Sequence, residues 1–179
     1  ELKNRDAKAE KDSLKKWTIL KHSLVEMESA IKLYPRNFDA WRESGMLYYM
    51  MKDTTNALRC YNQATSIAKY DEKTFNDRGV IYFESRQYAR AEAEFREAIR
   101  WNPRFADALK NLGSCAGTFQ RFDEAIEWFN KSLLYESDDK NRALTCKMMA
   151  MTYQYKNDNE SANYWFAKQK EVEAKLNEN

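Results

Sequence analysis

A chain of 179 residues suits one ordinary domain or one short repeat array. Four Gly and two Pro supply too little turn chemistry for an all-β fold, or for the glycine loops of nucleotide-binding α/β folds, so the expected class is all-α. Thirty basic against twenty-eight acidic side chains leave a net charge of +2, without the broad positive footprint that duplex nucleic acid demands.

Residues 1–37 carry nine basic and six acidic groups. No signal-peptide pattern opens them, and nowhere does the chain approach the roughly 20 apolar residues of a membrane span, so direct membrane insertion is not expected. Because the sequence starts at Glu1 rather than Met, a piece of a longer enzyme, exported protein or membrane-anchored parent stays among the expectations. Residues 13–34 hold neither Gly nor Pro, which leaves two alternatives for 1–37, a degenerate repeat or one long helix. His22 is the chain's one histidine. Its neighbours Lys21 and Ser23 point elsewhere on a helix, so a surface or packing role is expected and catalysis is not.

From Phe38 onward a period of 34 residues governs the sequence. Gly45, Gly79 and Gly113 lie 34 apart, and the same register aligns Trp41 with Phe75 and Leu109, and Tyr48 with Tyr82 and Ala116. It also aligns Ala57 with Ala91 and Ala125, and Tyr61 with Phe95 and Phe129. The units are 38–71, 72–105 and 106–142. A further unit, 143–179, follows if three residues are inserted near Ser137 to Asn141; Cys146, Ala150, Tyr153, Ala162 and Phe166 then fall into register. Each unit has two apolar stripes with steps of three and four residues, hence two helices. Small residues at unit positions 8 and 20 are expected to face each other where the paired helices approach, with aromatics beside them. Polar links at Asp53 or Thr54, at Ser85 to Tyr88 and near Asp123 are read as the places where one helix stops and the next starts. Pro35 and Pro103 are placed just past helix ends.

This pattern resembles the tetratricopeptide repeat: a large residue at position 4, Gly or Ala at 8, Tyr at 11, Ala at 20, Phe or Tyr at 24, Ala at 27 and often Pro at 32. The resemblance implies a right-handed superhelix of antiparallel helix pairs over 1–179, with the first helices lining a concave groove. It also implies a non-catalytic scaffold that holds a peptide or helix of a partner protein. The groove positions are 2, 5, 6, 9, 12 and 13 of each unit. In the first they are Asp39, Arg42, Glu43, Met46, Tyr49 and Met50. The second supplies Lys73, Asn76, Asp77, Val80, Phe83 and Glu84. The third brings Asp107, Lys110, Asn111, Ser114, Gly117 and Thr118, and the last contributes Lys147, Met148, Met151, Gln154 and Tyr155. Met46, Tyr49, Val80, Phe83 and Met151 are apolar without being demanded by the packing pattern, and are read as anchors for an apolar guest with some basic character. The carboxylate clamp by which some members hold chaperone tails is not expected. Its positions carry Lys8, Asp12, Glu43, Lys73 and Asp77, so three carboxylates stand where the guest's carboxylate would lie.

No catalytic, cofactor or metal site is expected. Cys60, Cys115 and Cys146 show neither CxxC nor Cys/His spacing and read as small buried hydrophobes; as unpaired thiols they favour a reducing interior such as the cytoplasm. Glu92, Glu94 and Glu97 read as a solvated helix face, and most aromatic rings are spent in the repeat core rather than left for base stacking. Homo-oligomerisation remains as the alternative reading, with Trp165 and Phe166 as a terminal stacking surface.

Overall fold

The computed structural model describes residues 2–177, and side chains from 12 to 176. Glu1, Glu178, Asn179 and the side chain of Lys8, which belong to the readings of 1–37, 143–179 and the clamp, lie outside the described residues. Among the described residues all regular structure is α-helical. The elements are α1 (Leu2–Leu33), α2 (Phe38–Met50), α3 (Thr54–Ile67), α4 (Glu72–Glu84), α5 (Tyr88–Trp101), α6 (Ala106–Thr118), α7 (Phe122–Tyr135), α8 (Asp139–Tyr155) and α9 (Asn159–Asn177). Two compact units divide the chain, Glu1–Thr74 and Phe75–Asn179.

In the first unit α1 is one continuous helix of 32 residues. Its Leu20 and Leu24, with Met27 one turn further, pack against Leu47, Tyr48 and Met51 of the α2 end. The Tyr48 hydroxyl donates to Glu28 Oε1 at 3.0 Å, and the Trp41 indole donates to the Pro35 carbonyl at 2.9 Å, fixing the turn into α2. Earlier on α1, Leu14 and Ile19 are exposed.

The seam between the two helices of a pair has the same construction three times. A Cβ at Gly45 would lie 2.7 Å from the Tyr61 ring, and one at Gly79 or Gly113 would lie 2.5 Å from Phe95 or Phe129. Those distances are closer than a methyl group can approach, so glycine is what lets the ring lie flat on the facing backbone. The atoms nearest position 8 are those of the aromatic at 24. Ala57, Ala91 and Ala125 are wholly buried beside the seam.

The turn joining each pair is likewise repeated. Lys52, Arg86, Gln120 and Asn157 all have φ near +60°. After each, two bonds reach back into the preceding helix: Gln120 N–H to the Gly117 carbonyl at 3.0 Å, and Arg121 N–H to the Ala116 carbonyl at 2.8 Å. This doubly bonded left-handed stop satisfies carbonyls that the helix end leaves open. The next helix is capped by Asp53 (from Asn56 N–H) or Asp158 (from Ser161 N–H) at two of these turns. At the other two, Gln87 and Arg121 occupy the cap position without a side-chain bond, and Asp123 lies one residue inside α7.

The three extra residues before the last pair appear as helix. Whereas α2, α4 and α6 each have 13 residues, α8 has 17. Asp138 caps the added turn by accepting from Asn141 N–H at 2.8 Å, and Arg142 ties it back to the Glu136 carbonyl at 2.6 Å. In the second unit two core clusters run in sequence. Ala91, Phe95, Leu112 and Cys115 form one; Ala116, Ala125, Phe129 and Met149 form the next. Trp165 of α9 packs on the latter and Phe166 is half-buried. Trp165 is thereby spent in the unit's own core, which corrects its reading as a free stacking surface.

Candidate functional site

In the first unit, the candidate face is one side of α2. Asp39 is exposed, Met46 is 37% exposed, and Arg42 Nη2 bonds Glu43 Oε1 at 2.8 Å. Tyr49 is half-buried with the Lys52 ammonium 5.6 Å from its ring, and Lys73, at the start of α4, is exposed.

In the second unit the face is built by α4, α6 and α8. Its floor near the helix starts is polar and internally bonded. Asn76 is buried and accepts from Asn111 Nδ2 at 2.9 Å. Lys110 is also buried, its ammonium donating to Asp107 at 2.8 Å and to Asn141 at 3.3 Å. A cation held in this way is shielded from a guest carboxylate. Asp77 is half-buried and Glu84 exposed, so α4 adds carboxylates to this side.

Val80 and Phe83 are half-buried against the Ala91–Phe95–Leu112–Cys115 cluster, and the Phe83 ring meets Tyr88 edge-on at 5.2 Å. Packing therefore does use these two residues, which corrects their reading as spare apolar side chains. Met151, 41% exposed, is the open one of this unit's three.

Further along, α6 and α8 part to leave a pocket of about 300 Å³. Its α6 wall is Ser114, Gly117 and Thr118; its α8 wall is Met148, Met151 and Tyr155. These six are at the groove positions that the resemblance to the tetratricopeptide repeat implies. Gly113 of α6, Phe122 and Phe129 of α7 and Thr152 of α8, which are not groove positions, complete the lining. Three of the four hydroxyls here are already committed as donors, Ser114 to the Lys110 carbonyl at 3.1 Å, Thr118 to the Ser114 carbonyl at 3.0 Å and Thr152 to the Met148 carbonyl at 2.9 Å; Tyr155 brings the fourth. With those donors turned into their own helices, the pocket offers methyl, thioether and ring surface. Phe122 and Tyr155 stack in parallel at 6.1 Å, and the Asp123 and Lys156 side chains that adjoin them bond each other.

The opposite side of the second unit corrects another expectation. Glu92 and Glu94 retain only 17% and 14% side-chain exposure, while Glu97 is the more open of the three at 43%. Glu94 pairs with Arg78. Glu92 accepts from Arg96 and from Arg121, both at 2.7 Å, and Glu124 bonds the same two arginines, closing a ring of four charges between α5 and α7. Burial by itself would push the Glu92 carboxyl up, but the bonds from Arg121 and Arg96 outweigh it and hold the group below its ordinary value.

Burial pushes the Cys115 thiol up to about 12 and raises Cys60 and Cys146 as well, so all three are poor nucleophiles at neutral pH. His22 is largely exposed, 3.4 Å from Glu26 one turn along α1.

Models of the tetratricopeptide repeat match residues 38–71 and 76–141, together more than half of the chain. Tetratricopeptide repeat protein 6 of Homo sapiens is 28% identical over 120 residues, which are 65% of this chain and 23% of that protein. Among solved structures, MamA superimposes with a TM-score of 0.79 at 18% identity, covering 94% of this chain and 96% of its own. YrrB, described as a TPR protein with an unusual peptide-binding site, gives 0.69 at 20% identity over 90% of this chain and 81% of its own.

Proposed function

The chain belongs to the tetratricopeptide repeat family, a family of protein-interaction scaffolds, and from that premise we propose that it holds a peptide or helix of a partner protein, without catalysis, on the faces of its first helices. The observation that carries this reading is the α6–α8 pocket, an uncharged recess on the side of the second unit where the register places the groove. Met46 on α2 gives the first unit an exposed apolar contact of its own. The exposed carboxylate of Asp39 on α2 favours a guest with a basic residue beside its apolar anchors. Lys110, enclosed by Asp107 and Asn141, speaks against recognition of a chain-terminal carboxylate.

The test is a cross-linked pull-down from the native source, read by mass spectrometry, with Met46→Glu and Met151→Glu beside the wild type. Both side chains are exposed, so helicity by circular dichroism should hold while the captured set shrinks at least severalfold. Equal recovery of the same partners by both variants would remove the first-helix faces as the binding surface.

A further inference from the structure

The chain carries its own template for what belongs in the α6–α8 pocket. Unit position 12 is Tyr49 in the first repeat, Phe83 in the second and Gly117 in the third; position 17 is Tyr88 in the second and Phe122 in the third. Within the second repeat the two positions meet, Phe83 standing edge-on to Tyr88 at 5.2 Å. Within the third, position 17 again carries an aromatic ring, Phe122, stacked on Tyr155, but its companion at 12 has no side chain. A Cβ built at Gly117 would meet nothing within 4 Å. The space is therefore open, in contrast to the seam glycines.

Resting on the reading that the first-helix face binds a partner, we propose that this pocket receives one aromatic side chain of a partner peptide, supplying between molecules the ring that Phe83 supplies within the chain. Three features favour that occupant over a polar or charged one. No lining residue carries a charge, and the nearby Asp123 and Lys156 neutralise each other, so the matching guest is uncharged. The hydroxyl protons of Ser114, Thr118 and Thr152 are spent on backbone carbonyls, so that of Tyr155 is the one hydroxyl donor left in the lining to answer a polar side chain. Finally, Met148 and Met151 offer polarizable thioethers, which suit an aromatic guest, and Phe122 offers a ring face.

The experiment titrates the full chain with N-acetyl-phenylalanine amide and follows the amide signals of Gly117 and Thr118 and the Met151 methyl by NMR. N-acetyl-leucine amide and N-acetyl-lysine amide serve as comparison probes. Saturable shifts in the millimolar range are expected for the phenylalanine probe, at least threefold weaker binding for leucine, and none for lysine. Gly117→Phe should fill the pocket from within and abolish the titration while leaving helicity intact. If that variant does not fold, Tyr155→Ser removes one wall instead and should weaken the phenylalanine probe severalfold. Absence of saturable shifts, equal binding of leucine, or an unchanged titration in a folded Gly117→Phe or Tyr155→Ser variant would overturn the proposal. These readouts need no partner. A pull-down reduced by Met46→Glu and Met151→Glu with no saturable binding of the phenylalanine probe would sink the pocket and spare the face, whereas probe binding with a pull-down indifferent to both variants would sink the face and, with it, the partner that the pocket is proposed to serve.

Discussion

Two sides of the same helix pairs follow different rules. On the seam inside each pair, glycine lies against an aromatic ring in three successive repeats, with the same close approach each time. On the groove side, position 12 passes from Tyr49 through Phe83 to Gly117, and the local surface changes from a half-buried ring to a pocket. These three pairs each close on themselves through that seam, so its residues repeat, and the last pair keeps a small residue there, Ala150. The groove side varies more: at position 12 one pair packs Phe83 against Tyr88, and the next has no side chain there at all. Variation there is how a repeat array acquires a particular guest without altering its fold.

Two glycines one turn apart on α6 put this contrast to its most demanding test. Gly113→Ala drives a methyl into the Phe129 ring, which is itself 2% exposed and hemmed in by its cluster; the expected loss is about 1 to 3 kcal/mol. Gly117→Ala meets open space and trades glycine's backbone entropy for alanine's helix preference, with a gain of up to about 1 kcal/mol. Urea unfolding midpoints should therefore move in opposite directions. Movement of both in the same direction would break the distinction between seam and groove side.

The junction between neighbouring pairs is a third region, and it varies as the groove side does. The positions of Glu92 and Arg96 become Ile126 and Asn130 one repeat later, so the four-charge ring is particular to α5 and α7. Glu92→Gln keeps the shape and removes the charge. With the two arginines 46% and 38% exposed, the expected cost at pH 7 is about 1 kcal/mol, well under that of a fully buried pair. Because the folded-state carboxyl is held below its ordinary value, its contribution is fully present above the unfolded glutamate range near about 4.3 and is lost as pH falls through the folded value. Wild type and Glu92→Gln should thus differ in urea midpoint at pH 7 and converge on acidification below about pH 4. A constant gap across that range would show that the ring is not what separates them.

How much of this was legible in the sequence depends on how far apart the interacting residues lie. The helix pairs and the buried alanines follow from the 34-residue register, since a repeated core must repeat its residues. Ser114, Met151 and Tyr155 were expected on the groove side from the resemblance to the tetratricopeptide repeat. That Gly117 opens a pocket was not visible, because a glycine at a surface position reads the same whether the space above it is filled or empty. Glu92 and Glu94 were misread as solvated, since Arg121 lies 29 residues ahead of one and Arg78 16 residues behind the other. Only the packed array shows which charges face each other.

The turns resisted reading for a different reason, and they supply the finest test of uniformity. A left-handed residue after a helix normally announces itself as glycine, yet Lys52, Arg86, Gln120 and Asn157 stand there. Their conformation is held by the helix pair that closes around them, not by their own preference. For an ordinary side chain the left-handed region costs about 1 to 2 kcal/mol, and glycine returns about half of that as backbone entropy in the unfolded chain. Arg86→Gly should accordingly raise stability by about 0.5 kcal/mol. Asn157→Gly should gain less, because asparagine tolerates this region better than other residues with a side chain. Differential scanning calorimetry on the two variants orders them directly. Stabilisation of both by equal amounts would mean that the turn, like the seam, is indifferent to the residue it holds. A loss at Arg86 would mean that its side chain contributes more to the fold than its backbone strain takes away.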